Sequence, residues 1–176
     1  LKILTTPTCN QYIACYYDSF KLSENGKDYL VIISEYIKGT NLFDYINGYL
    51  PPPSNIIYIF GQLLRGLKYI HGNGYAHRDI KPENIMLTPD NKIRYIDFGL
   101  ACSRQNDDCI GHPGTVQYSP PNYNLIPNSI ETSQAHDMWS LGVTFFMVTG
   151  SGYPFDVVDF MGNPLSYDEI LHNINK

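Results

Sequence analysis

The sequence predicts an α+β fold, with strands gathered at the front of the chain and helices making up most of the remainder. Three observations carry this. Ile13 to Phe20 and Tyr29 to Ser34 are rich in β-branched and aromatic residues, with the turn pair Asn25-Gly26 between them. Ile56, Phe60, Leu63, Leu67 and Ile70 recur at spacings of three and four, one apolar face of a helix over about 55–71. Residues 136–149 form a second, mostly apolar helical stretch.

Taken in order, the two front segments read as an antiparallel hairpin with a longish loop. Lys38-Gly39-Thr40 breaks the strand pattern, and Asn41 to Ile46 reads as a short helix closed by Asn47-Gly48. Pro51-Pro52-Pro53 is a stiff spacer, and Ser54 is the expected N-cap of the long helix. Gly72 and Gly74 end that helix. A dense polar segment, His77 to Asn84, follows. Ile85 to Leu87 and Ile93 to Ile96 read as short strands around the turn Pro89-Asp90-Asn91. Residues 99–134, rich in Gly, Pro, Asn and Ser, read as one long functional loop. The helix at 136–149 is apolar nearly all round and is expected to be buried, with Gly150 closing it. Tyr167 to Ile174 begins another helix.

Composition excludes several function classes. The 176 residues suit one domain, and 43% hydrophobic with 16% charged residues supports a packed core rather than disorder. A net charge of −5, from 12 basic and 17 acidic residues, excludes the basic footprint of a nucleic-acid binder. The longest apolar runs, such as Leu30–Ile33 and Phe145–Val148, fall far short of the ~18 residues of a membrane span. Without a charged-then-apolar leader at the start, a cytoplasmic or nuclear location is expected. Cys9, Cys15, Cys102 and Cys109 are then expected as reduced thiols; a metal site from Cys102, Cys109 and His112 is disfavoured, because no fourth ligand has the usual spacing.

The chemistry sits in His77-Arg78-Asp79-Ile80-Lys81-Pro82-Glu83-Asn84, followed thirteen residues later by Asp97-Phe98-Gly99. This set resembles the protein kinase family, and the resemblance covers nearly the whole chain. It implies a protein-kinase-like fold, a mostly helical large lobe plus the remnant of a β-rich small lobe. Residues 1–34 would be that remnant (the end of one helix and two strands), 35–40 the hinge, and 41–176 the large lobe. It also implies roles. Asp79 accepts or orients the proton of the substrate hydroxyl, and Lys81 places its ammonium on the transferring phosphate. Asn84 and Asp97 offer the hard oxygen ligands that Mg²⁺ prefers. Ser34, Glu35, Ile37, Asn41 and Met86 fall at ATP-binding positions, with Ser34 the small residue just before the hinge.

Gly114-Thr115-Val116-Gln117-Tyr118-Ser119-Pro120-Pro121-Asn122 resembles the end of a kinase activation segment, with Asn122 where the family usually has Glu. Lys81 with Thr115 is the serine/threonine pattern, so the implied partners are ATP and a protein substrate. Asp137, in Asp137-Met138-Trp139-Ser140-Leu141-Gly142, is expected to hold the backbone of the His77-Arg78 loop. The position usually phosphorylated falls on Gly111, so Asp107 and Asp108 are expected to supply Arg78 with a permanent negative charge. No Gly-rich phosphate loop or strand Lys precedes the hinge. The chain is therefore expected to be truncated at both ends and inactive by itself. The rival reading is an interaction module without catalysis.

Overall fold

The computed structural model of the chain describes residues 4, 8–48, 50–111, 114–121, 129–159 and 161–174. Strands β1 (Tyr16–Glu24) and β2 (Lys27–Ser34) form the antiparallel hairpin. Glu24 pairs with Lys27, so the connection is the two-residue Asn25-Gly26 turn, not the longer loop expected. Both turn residues take positive φ, 52° and 73°, which matches the twist of the flanking strands. Cross-strand pairing of Phe20 with Val31 and Leu22 with Tyr29 extends the ladder to the turn. The hairpin is anchored at its base. Glu35 N–H donates to the Cys15 carbonyl at 2.7 Å, and Ala14 N–H donates to the Tyr95 carbonyl at 3.0 Å.

The chain then passes through β3 (Thr40–Asn41) into the short helix α1 (Leu42–Gly48). Asn41 caps α1: its Oδ1 accepts from Asp44 N–H at 2.8 Å. The long helix α2 (Pro53–Gly72) starts one residue before the expected Ser54 cap. Pro52 holds the cap position and Pro53 the first helical position, where a missing N–H costs nothing. Ile56, Ile59, Leu63, Leu67 and Ile70 bury one face of α2, each contributing about 1.5–3 kcal/mol. Gly66 lets this face meet Tyr95 closely, since a Cβ there would lie 2.8 Å from its ring. The Tyr95 hydroxyl donates to the Leu63 carbonyl at 3.0 Å, so its burial leaves no unsatisfied polar atom.

Strands β5 (Ile85–Leu87) and β6 (Ile93–Tyr95) complete a three-stranded sheet of order β3-β5-β6. A second small ladder pairs β4 (Tyr75–Ala76) with β7 (Cys102–Ser103). The described residues of 99–134 thus hold more regular structure than their composition implies: β7, a 3₁₀ turn (Val116–Tyr118) and the start of α3. Helix α3 (Ile130–Phe146) begins six residues earlier than expected, because Ser129 caps it by accepting from Thr132 N–H at 3.3 Å. It is not buried all round either. Met138 and Phe146 are exposed, while the polar Ser133, Asp137 and Thr144 are buried. A π turn (Met147–Ser151) follows α3, and α4 (Tyr167–Ile174) lies where the sequence places it.

The thiol expectation is overturned. Cys9 pairs with Cys15 and Cys102 with Cys109 as disulfides, their Cα atoms 5.3 and 5.0 Å apart, within the span such a bond bridges. Cys102 and Cys109 are therefore not available as thiolate metal ligands in this state, and His112 lies outside the described residues.

Candidate active site

Asp137 builds the site from below. This buried carboxylate on α3 accepts His77 N–H at 2.8 Å through Oδ2 and Arg78 N–H at 2.7 Å through Oδ1. The role expected for it is present, and His71 at the end of α2 adds a third bond to Oδ2 at 2.8 Å. No sequence signal singled out His71. These bonds hold Arg78 in a positive-φ conformation, 66°, that an L-residue seldom adopts.

The His77 ring is fully buried between elements. Asp79 N–H donates to its Nδ1 at 3.3 Å, so Nε2 carries the proton and donates to the Ile96 carbonyl at 3.0 Å. Its face lies 4.7 Å, centre to centre, from Phe98. One side chain thus ties the Asp79 loop to the segment carrying Asp97.

Three polar side chains converge on Asp79. The Thr115 hydroxyl donates to Oδ1 at 2.9 Å, while Lys81 Nζ at 2.9 Å and Asn84 Nδ2 at 2.8 Å approach Oδ2. Lys81 also donates to the Thr115 hydroxyl at 2.8 Å. Burial alone raises the Asp79 pKa. The bonds from Lys81, Thr115 and Asn84 and the charge of Lys81 outweigh it, holding the carboxyl below its ordinary value. Gly114 allows the approach of Thr115, for a Cβ on it would lie 2.5 Å from the Arg78 carbonyl oxygen and its φ is 115°.

Asn84 ends a 3₁₀ turn (Pro82–Asn84) and is buried. Its amide nitrogen is spent on Asp79, donating to the backbone carbonyl at 2.9 Å as well as to Oδ2, which leaves the amide oxygen as the ligand atom. Asp97 is exposed, with a positive φ of 56°, and its Oδ1 accepts from Gly99 N–H at 3.2 Å. An amide oxygen and an exposed carboxylate are each the hard oxygen donor that suits a divalent cation such as Mg²⁺.

Beside Asp97 opens a cleft of about 740 Å³, within the range of small-molecule sites. Ser34, Glu35, Ile37, Met86, Asp97 and Phe98 are among its lining residues, so four of the five expected nucleotide contacts meet there. Asn41 does not line it: its amide is engaged with Asp44 at the start of α1, with Nδ2 donating to Asp44 Oδ2 at 2.8 Å. Glu35 has a structural bond too, accepting from Cys15 N–H at 3.1 Å.

Arg78 departs from expectation. Its guanidinium donates to backbone carbonyls, Nε to Leu100 at 2.7 Å and Nη1 to Ile110 at 3.1 Å. Among the described residues no carboxylate makes an ion pair with it. Asp108 acts only through its field: burial lowers the Arg78 pKa, and Asp108 and Asp137 partly restore it. Asp108 Oδ1 instead accepts from Ser103 N–H at 2.7 Å. Asn122 lies outside the described residues.

Comparison with known proteins gives a family model described as protein kinase domain, which matches residues 1–165. The chain is similar to the serine/threonine-protein kinase stk11 homolog of Dictyostelium discoideum. The two are 34% identical over 160 residues, covering 86% of this chain and 27% of that protein. It is also 34% identical over 143 residues to the maternal embryonic leucine zipper kinase of Danio rerio, covering 77% of this chain and 20% of that one. A probable serine/threonine-protein kinase KIN1 homolog of Enterocytozoon bieneusi (strain H348) is 35% identical over 132 residues, 73% of this chain and 22% of the relative. The chain thus spans about a quarter or less of the length of these curated relatives.

Proposed function

Since the chain belongs to the protein kinase family, we propose that it carries the catalytic centre of a serine/threonine protein kinase, transferring the γ-phosphoryl group of ATP to protein hydroxyls. The observation that supports this best is the convergence of Lys81, Thr115 and Asn84 on the Asp79 carboxylate, with Asp97 lining the adjoining cleft. Residues 1–34 serve as the small-lobe part, 35–40 as the hinge and 41–176 as the large lobe. The use of ATP and of a protein substrate supports a location inside the cell, in cytoplasm or nucleus.

Phosphoryl transfer asks the protein mainly for positioning and charge neutralisation. The substrate hydroxyl oxygen attacks the γ-phosphorus, the bond to the β–γ bridging oxygen breaks, and ADP departs. Asp79 orients the hydroxyl and takes its proton. Its lowered pKa keeps it ionised and ready as an acceptor at neutral pH. Lys81, held by Asp79 and Thr115, supplies positive charge to the phosphoryl oxygens. Backbone groups of Glu35 and Ile37 pair with adenine, and Met86 packs against its ring. Asn84 and Asp97 hold Mg²⁺, which when bound neutralises phosphate charge.

The test is transfer from γ-labelled ATP to a peptide library containing Ser, Thr and Tyr, using the full-length protein. Phosphoserine and phosphothreonine are expected. Phosphotyrosine alone, or ATP binding without any transfer, would contradict the reading; the second result favours the interaction module.

A further inference from the structure

The two carbonyls that Arg78 grips, those of Leu100 and Ile110, flank the loop closed by Cys102 and Cys109. One arginine and one disulfide therefore close the same stretch of chain in parallel. The near side of this loop has further support. Cys102–Ser103 pairs with Tyr75–Ala76, and Arg104 N–H donates to the Gly74 carbonyl at 2.8 Å. The far side has little. Among the described residues, no backbone–backbone hydrogen bond joins Asp107–Gly111 to another element. It is held by the disulfide, by the bonds that Asp108 accepts from Ser103 N–H and from the Asn106 amide, and by the bond from Arg78 to the Ile110 carbonyl. Both sulfurs are buried against Ala76 and Ile130, while the turn Arg104–Asp107 between them is exposed.

We propose that Cys102 and Cys109 form a redox clasp on this segment. Oxidised, the bond keeps the Ile110 carbonyl on Arg78 and so braces the loop that presents Asp79. A dithiol reductant supplies two electrons and two protons: the S–S bond breaks, two thiols form, and the reductant closes to its own disulfide. Asp107–Gly111 then keeps only the Asp108 and Arg78 bonds and the packing of Cys109, against the loop entropy that the crosslink had removed. Reduction loosens the segment, and turnover falls while nucleotide binding, made in the separate cleft, does not. The effect on turnover rests on the phosphotransfer reading; the effect on the segment does not.

The experiment uses full-length protein before and after reduction by a dithiol. A non-reducing digest should contain a Cys102–Cys109 crosslinked peptide. On reduction, amide exchange at Ser103, whose N–H is held by Asp108 of this segment, should rise about tenfold or more, with a several-fold loss of turnover and unchanged ATP affinity. Cys9–Cys15 is reduced in the same step, so Cys9→Ser protein should keep the whole response. The double variant Cys102→Ser/Cys109→Ser should show the fast exchange with or without reductant. Alkylation of both cysteines in unreduced native protein, or exchange unaffected by reduction, would overturn the clasp. If exchange responds but no phosphoryl transfer occurs in either state, the clasp stands and the phosphotransfer reading falls.

Discussion

The Thr115 hydroxyl donates to Asp79 Oδ1 across 2.9 Å, joining two residues 36 apart in sequence. Lys81 donates to the same hydroxyl, so Thr115 relays between an anion and a cation. A hydrogen bond to a charged group contributes about 1.5–3 kcal/mol. Thr115→Val, which keeps the shape and removes the hydroxyl, should therefore lower kcat roughly ten- to a hundredfold by that range. Thr115→Ser should keep most of the activity. Steady-state kinetics on the full-length protein checks both; equal rates for the valine and serine variants would show that the hydroxyl does nothing.

The same bonds set a pH dependence. Burial raises the Asp79 pKa, but Lys81, Thr115 and Asn84 lower it further than burial raises it, so the folded value lies below the unfolded one, about 3.9. The stability this shift contributes is present above the unfolded pKa and is lost as pH falls through the folded value. Activity should accordingly show no loss from Asp79 protonation between pH 5 and 7. A pH–rate profile with an acid limb in that window that moves in Thr115→Val protein would refute the assignment.

Gly114 has no room for a side chain. A Cβ would sit 2.5 Å from the Arg78 carbonyl oxygen, on a residue whose φ is 115°. Gly114→Ala should push the segment off the Asp79 loop and misplace Thr115. A displacement of about 1 Å can cost about a hundredfold in rate. ATP affinity, measured by titration calorimetry, should change little, because Gly114 is not among the residues lining the cleft. Full turnover in Gly114→Ala protein would show that the close approach is dispensable.

Ser34 lines the cleft next to the hinge, and so does Phe98. In the proposed binding mode, a small residue there leaves volume behind adenine. An adenine-mimicking inhibitor with an added aromatic group burying on the order of 100 Å² could gain about 2.5 kcal/mol, before ordering costs. Ser34→Phe should fill that volume and remove the gain while sparing ATP. Inhibition curves for the two proteins decide it: equal potency would mean that another side chain, Phe98 foremost, already fills the space.

Much of this was legible in the sequence, for physical reasons that differ by element. The long helix α2 announced itself because its buried face repeats at helical spacing, and the short strands around Asp90 because turn residues separate β-branched ones. The polar motif contains Asp79, Lys81 and Asn84, which the structure brings together, while Asp97 lines the adjoining cleft. Local patterning failed where tertiary pairing decides the outcome. Strand β7 is two residues long and exists because Tyr75–Ala76 lies alongside it. Helix α3 starts early because of a single Ser129 cap, and its buried face carries Asp137 because that carboxylate has three donors to satisfy. Asn41 was assigned to the nucleotide, yet as a helix cap its amide is occupied by Asp44. The disulfides and the grip of Arg78 on two carbonyls depend on distances that spacing does not report.

The most direct test of the central claim is phosphoryl transfer by full-length Asp79→Asn protein, with ATP binding measured on the same sample. Asparagine keeps the size but cannot take a proton, and its single oxygen accepts on the Thr115 side or on the Lys81 and Asn84 side, not both. Turnover on a serine or threonine peptide should fall by about 10²–10⁴-fold, the usual contribution of a positioned general base, while Mg-ATP affinity stays close to wild type. Near-normal turnover in Asp79→Asn protein would contradict the account, because no proton acceptor would then be needed at the point where Lys81, Thr115 and Asn84 converge.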